Sequence, residues 1–201
     1  MKKIFPLLIL ALFSGCSIHT PAITEYSLLT PAPSGITPFS TSLPKSIKLN
    51  APITLSSLAT KSIHYSSSTQ ESGNYLYSAW SDTPSSMIEN TLFLALQHSN
   101  LFSTVAPSAS WAKTDYILES NLAIFQHTIK EDGSSEGIID ISYRLIDLES
   151  KKVIATKHFY STHPSASNNA KGGIEALKKN MDKVNHQVIE WLSITLNQQK
   201  V

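Results

Sequence analysis

The sequence predicts an α+β domain: a mainly antiparallel sheet with two amphipathic helices packed on one of its faces. Three observations predict it. Ile139, Ile141, Tyr143 and Leu145 alternate with Asp140, Ser142 and Arg144, the two-residue period of a strand with one buried and one wet face. Ile174, Leu177, Met181, Val184, Val188 and Trp191 recur by threes and fours, the stripe of a helix that buries one side. A second helix is marked by its ends as much as its stripe. Thr83 can cap it, Pro84 suits its first turn, Ile88, Leu92, Ala95 and Ser99 share a face, and Asn100 suits a left-handed stop.

Residues 1–15 read as a signal peptide. Lys2 and Lys3 are followed by an apolar run from Ile4 to Phe13, too short to span a bilayer core of roughly 30 Å, and then by Ser14 and Gly15. Leu12-Phe13-Ser14-Gly15-Cys16 resembles a lipobox, at which bacteria attach a diacylglycerol to the thiol and cleave just before it. Phe13 departs from the usual aliphatic residue there. Cys16 is the only cysteine, which excludes an intramolecular disulfide and a cysteine-based zinc site. The lipobox resemblance implies that Cys16 is the lipidated residue. At about 0.8 kcal/mol for each buried methylene, two or more acyl chains anchor firmly where one does not. Ser17, rather than aspartate, follows the cysteine and resembles the enterobacterial pattern for the outer membrane. The expected location is therefore the outer membrane, lipid-anchored on its periplasmic face.

Residues 16–43 form the lipidated cysteine and a Pro/Ser/Thr-rich tether, and residues 44–201 a single domain. Pro21, Pro31, Pro33 and Pro38 keep the tether extended. Its one apolar piece, Tyr26-Ser27-Leu28-Leu29, could pair with the domain as an edge strand. Ser46-Ile47-Lys48-Leu49, Ser62-Ile63-His64-Tyr65 and the aromatic Asn74–Trp80 are strand signals, followed by the capped helix and by Leu101-Phe102 returning to the core. Tyr116 to Ile129 predicts a long strand, 131–137 a turn or loop, 139–145 a second strand and Val153 to Tyr160 a third. A loop from His163 to Asn169 precedes the last helix, from about Ala170 to Leu196. Its stripe fits packing on the sheet; a period near 3.5 also permits a partner or second copy.

The chain carries no catalytic signature. Among its histidines, His158 and His163 are the best-spaced pair and fit solvated or hydrogen-bonded roles. No serine sits in a G-x-S-x-G elbow. Gly172-Gly173 beside Lys171 lacks the strand and further residues of a phosphate loop and reads as a flexible joint. No enzyme activity, cofactor or metal is expected. Without Lys2 and Lys3 the chain has fourteen basic against fifteen acidic residues, and Arg144 is its only arginine. With no basic patch, nucleic acid is not an expected partner.

Asn74-Tyr75-Leu76-Tyr77-Ser78-Ala79-Trp80-Ser81-Asp82-Thr83-Pro84, the helix that follows to Gln97, and Leu101-Phe102 resemble the ABC-type transport auxiliary lipoproteins, the family of paraquat-inducible protein C. The lipobox, the 26–29 piece, the meander and the long last helix fall in the same order. One departure is Ser62-Ile63-His64-Tyr65, which lacks an arginine that family members often carry. The resemblance implies a non-catalytic component of a lipid-transport system that works with an ABC transporter permease and ATPase. The lipoprotein would dock a periplasm-spanning MCE-domain protein, with a ring of copies as one arrangement. Trp80 is the candidate partner contact, and core packing at the strand–helix junction is its other role. Two further readings are a lipopolysaccharide-assembly type of outer-membrane lipoprotein and a lipid-anchored hydrolase assembled on folding.

Overall fold

The computed structural model describes residues 21–29, 35–67 and 71–198; the signal segment and Cys16 lie outside the described residues. Its strands are β1 (Thr24–Tyr26), β2 (Leu43–Leu49), β3 (Ile53–Thr54), β4 (Ser62–Ser67) and β5 (Ser72–Trp80), then β6 (Phe102–Ala106), β7 (Tyr116–Ile129), β8 (Ser135–Asp147) and β9 (Lys152–Pro164). The helices are α1 (Pro84–Ser99) and α2 (Ala170–Gln198).

One sheet holds all nine strands, and β7 is its spine. Along one edge β7 pairs antiparallel with β8, which pairs with β9, forming the meander that the alternation predicts. Along its other edge three short strands follow one another, all parallel to it. β2 joins at Tyr116–Leu118, β3 at Asn121–Leu122 and β4 at His127–Ile129. β6 then extends β2 in parallel, and β5 extends β4 as a hairpin partner with β1 parallel beyond it. The sheet is thus mixed, which corrects the expectation of a mainly antiparallel one. The long ladders are antiparallel, whereas α1 returns the chain so that β6 enters in the direction of β2.

Both helices cover one face. Thr83 Oγ1 accepts the Ser86 amide at 3.4 Å, Pro84 opens the first turn of α1, and Asn100 stops it at φ 54°. Met87, Ile88, Leu92, Ala95, Leu96 and Ser99 are buried beneath it. In α2 every residue of the apolar stripe is buried, and Leu192 and Leu196 continue it where the stripe loosens at Thr195. Gly172 and Gly173 are not a joint. They lie within the first turns of α2, where a Cβ on Gly173 would stand 2.5 Å from the His127 ring and one on Gly172 would meet the Ser167 carbonyl. Their smallness lets the helix start close to the sheet. Asn180, fully buried in mid-helix, donates to the carbonyls of Gly137 at 3.0 Å and Ser161 at 2.7 Å, tying α2 to β8 and β9.

The stretch expected to act as a tether contributes to this body. Thr24–Tyr26 is β1, Leu28 is buried, the Phe39 amide donates to Ser99 O at 2.8 Å, and His186 Nε2 donates to Gly35 O at 2.6 Å.

Candidate interaction site

The far end of the sheet, where β2 pairs with the start of β7 and the chain passes from β6 into β7, is built around Asp115. Its Oδ2 accepts the Ser46 amide and the Ser46 hydroxyl, each at 2.7 Å, and its Oδ1 accepts Lys45 Nζ at 3.0 Å. The Asp115 amide donates to Ser46 Oγ at 3.0 Å. The Ser46 hydroxyl and amide, with Lys45 behind them, hold the Asp115 carboxyl down at about 2. This clamp closes the base of the 107–114 loop and also fixes the next turn, since the Leu148 amide donates to Asp115 O at 2.9 Å.

The loop itself is tied at several points. The Ser110 amide donates to Pro107 O at 3.0 Å, the Ser108 amide to Glu89 Oε1 at 2.8 Å, and the Ala112 amide to Ser110 Oγ at 3.2 Å. Lys48 Nζ reaches up from β2 to the Ser110 carbonyl at 2.6 Å. On this tied loop Trp111 is 100% exposed. A large apolar ring held out by a pinned backbone has little ordering left to lose on binding, and tryptophan is enriched at such contact points. Beside it an open hollow is lined by Lys48, Lys113, Asp115, Ile117, Leu148 and Glu149.

Trp80 lies elsewhere. At the end of β5 it is 1% exposed, its ring 5.6 Å from that of Phe125, and its amide donates to Lys61 O at 2.7 Å. It fills the strand–helix junction and supports the surface without forming it. His158 and His163, five residues apart on β9, fall on opposite faces, as an odd spacing on a strand requires. His158 bonds to Asp140 at 2.7 Å on the open face, and His163 is turned toward Lys179 and Lys183 of α2.

Among the described residues His127 is the one histidine in the interior, fully buried under Gly173. Its Nδ1 shares a 2.7 Å hydrogen bond with the Tyr75 hydroxyl, and its Nε2 has no partner among the described residues. Burial holds it neutral by lowering its pKa. Among the described residues no group of histidine, cysteine and acidic side chains could hold a metal, and no helix is long and apolar enough to cross a membrane.

Sequence reasoning passed over Trp111. The available signal was an aromatic residue inside a stretch of loop composition, Pro107-Ser108-Ala109-Ser110, outside any strand or helix stripe.

Comparison with known proteins supports the fold and the family together. The structure of protein XCC0632 from Xanthomonas campestris superposes with a TM-score of 0.78 at 18% identity, covering 88% of this chain and 99% of that one. A second solved structure, of an uncharacterized protein, gives 0.65 at 12% identity, with 86% and 99% covered. At these identities the likeness is one of fold. No curated protein matches the sequence. The model of the ABC-type transport auxiliary lipoprotein component matches residues 26–189, from β1 well into α2. The chain belongs to the ABC-type transport auxiliary lipoprotein family and is a lipid-anchored, non-catalytic component of an ABC-type transport system.

Proposed function

We propose that this lipoprotein is anchored in the outer membrane by lipid on Cys16 and docks the periplasm-spanning MCE-domain protein of a lipid-transporting ABC system. We further propose that Trp111 is the residue the partner covers. The observation that carries the docking site is the full exposure of Trp111 on a loop fixed by Lys48, Glu89 and the Asp115 clamp. Family membership supplies the transporter. The lipobox and Ser17 support the outer-membrane location, and the family pattern supports the MCE partner and a ring of copies.

Trp80 contributes through position, keeping β5 and α1 in register with the rest of the sheet. The test is co-purification of the MCE protein with the lipidated chain after crosslinking. Trp111→Ala should reduce recovery of the partner at least tenfold while the lipoprotein stays in the membrane fraction. Undiminished recovery would remove Trp111 from the interface. Absence of any MCE protein from the wild-type complex would overturn the docking function itself.

A further inference from the structure

We infer that the β1–β5 edge of the domain lies on the membrane surface, with Ile23, Leu76 and Tyr77 seated among the lipid headgroups. This inference rests on the lipidation of Cys16 proposed above. Three apolar side chains are exposed there: Leu76 at 79%, Ile23 at 62% and Tyr77 at 55%. The ladder between β4 and β5 explains the first and last. Ser62 pairs with Ala79, but His64 pairs with Asn74, so β5 carries three extra residues between these points. A bulge of this kind throws its residues off the sheet. Tyr75 turns inward to His127, and Leu76 and Tyr77 turn outward. The Tyr75–His127 bond therefore pins the bulge that presents them.

Ile23 joins the same patch. β1 runs parallel to β5 with Thr24 opposite Ser78, and carrying that register back one residue sets Ile23 beside Tyr77. β1 is the outermost strand on this side of the sheet.

The occupant follows from the chain length to the anchor. Ile23 stands seven positions after Cys16. Seven extended residues reach no more than about 24 Å. The edge that bears the patch is therefore the part of the domain held nearest the lipid. Its chemistry fits that place. Neither Ser17–Thr24 nor Ser72–Ser81 contains a lysine, arginine, aspartate or glutamate. Glu25 of β1, two residues from Ile23, and Glu71 and Asp82, flanking β5, rim the patch with acidic charge. Aliphatic and tyrosine side chains rimmed by charge favour the headgroup boundary, where water and headgroups can still satisfy the outward amides and carbonyls of β1. The β2 end of β7, which carries Trp111, joins the spine eleven residues from the β4 end. That is up to about 36 Å along the strand. A domain resting on its β1–β5 edge keeps its docking loop clear of the bilayer.

The test uses the lipidated full chain in vesicles of phosphatidylethanolamine and phosphatidylglycerol. Leu76→Cys carries an environment-sensitive fluorophore, and Tyr160→Cys on the open face serves as the comparison. Quenchers borne on the lipid should quench the label at 76 at least threefold more than that at 160. Equal quenching of both labels by aqueous iodide would overturn the inference. So would shielding at 76 that appears only when the MCE protein is added. A chain that fails to float with the vesicles would refute lipidation instead. In that event the soluble Cys16→Ser chain still reads the patch: L76S with Y77S should lower its vesicle partitioning about tenfold or more, and unchanged partitioning would overturn the inference.

Discussion

Trp80 and Trp111 are the same residue type put to opposite uses. Trp80 is 1% exposed and packed at a tilt against Phe125 at a strand–helix junction, whereas Trp111 is fully exposed on a loop that ends at the Asp115 clamp. The β5–α1 region is where the sequence resembles the family, and it is where the fold is made. The 107–115 region carries no recognisable motif, and it is where an apolar side chain is left for something else to cover. Motif resemblance therefore located the scaffold of this protein, and exposure located its candidate contact.

Substitution at the two tryptophans should separate these roles. Trp80→Ala removes a buried ring from among close-packed neighbours and should cost about 3–5 kcal/mol in urea denaturation. A loss below about 1 kcal/mol would mean that the junction is not the packed core described here.

Gly173→Ala comes next in size. Its new Cβ would meet the His127 ring, and overpacking of this kind costs about 1–3 kcal/mol. The paired variant His127→Ala with Gly173→Ala opens that space. Its destabilisation should fall short of the sum of the two single losses, and strict additivity would show that the helix does not rest on the ring.

His127, beneath α2, and Asp115, at the base of the loop, both contribute to the acid response. His163 acts in the same sense as His127, and Asp82, Asp132 and Asp147 act in the same sense as Asp115. His127 has a lowered pKa in the fold, so the unfolded chain binds more protons and stability falls as pH drops below the unfolded value near 6.5. Asp115, held at about 2, contributes stability above its unfolded value of 3.8, and this is lost as pH falls toward about 2. The pH dependence of thermal midpoints should show both windows. His127→Gln should shrink the upper one, leaving the part due to His163, and Asp115→Asn should shrink the lower one, leaving the part due to Asp82, Asp132 and Asp147.

Trp111→Ala should have the smallest effect on stability, within about 0.5 kcal/mol, because the ring touches solvent on every side.

Much of this architecture was legible because its signals are local. The cap at Thr83, the stop at Asn100, the alternation in β7 and β8 and the stripe of α2 all depend on residues close in sequence, and each stands as expected. Strand direction was not legible. An alternating segment such as Ser46–Leu49 reads the same whether its neighbour runs with it or against it, and the path of α1 decided the matter. β1 and β3 have three and two residues, too few to show a period. β9 runs on through His163 and Pro164, where proline suggested a loop, because this is the last residue of an edge strand and needs to donate no ladder bond. The glycine pair of α2 could be explained only once His127, distant in sequence, was seen beneath it. Exposure of Trp111 is likewise a tertiary property: nothing within the loop announces that no strand or helix will cover the ring.

The docking surface is tested most directly by a photo-crosslinking amino acid placed at position 111 of the lipidated chain, in membranes that contain the MCE protein. A second probe at Tyr160, on the open sheet face, provides the comparison. The expected result is a crosslink to the MCE protein from position 111 and none from position 160. A crosslink from 160 alone, with position 111 remaining open to solvent in the assembled complex, would contradict the assignment of the docking surface to the β6–β7 loop.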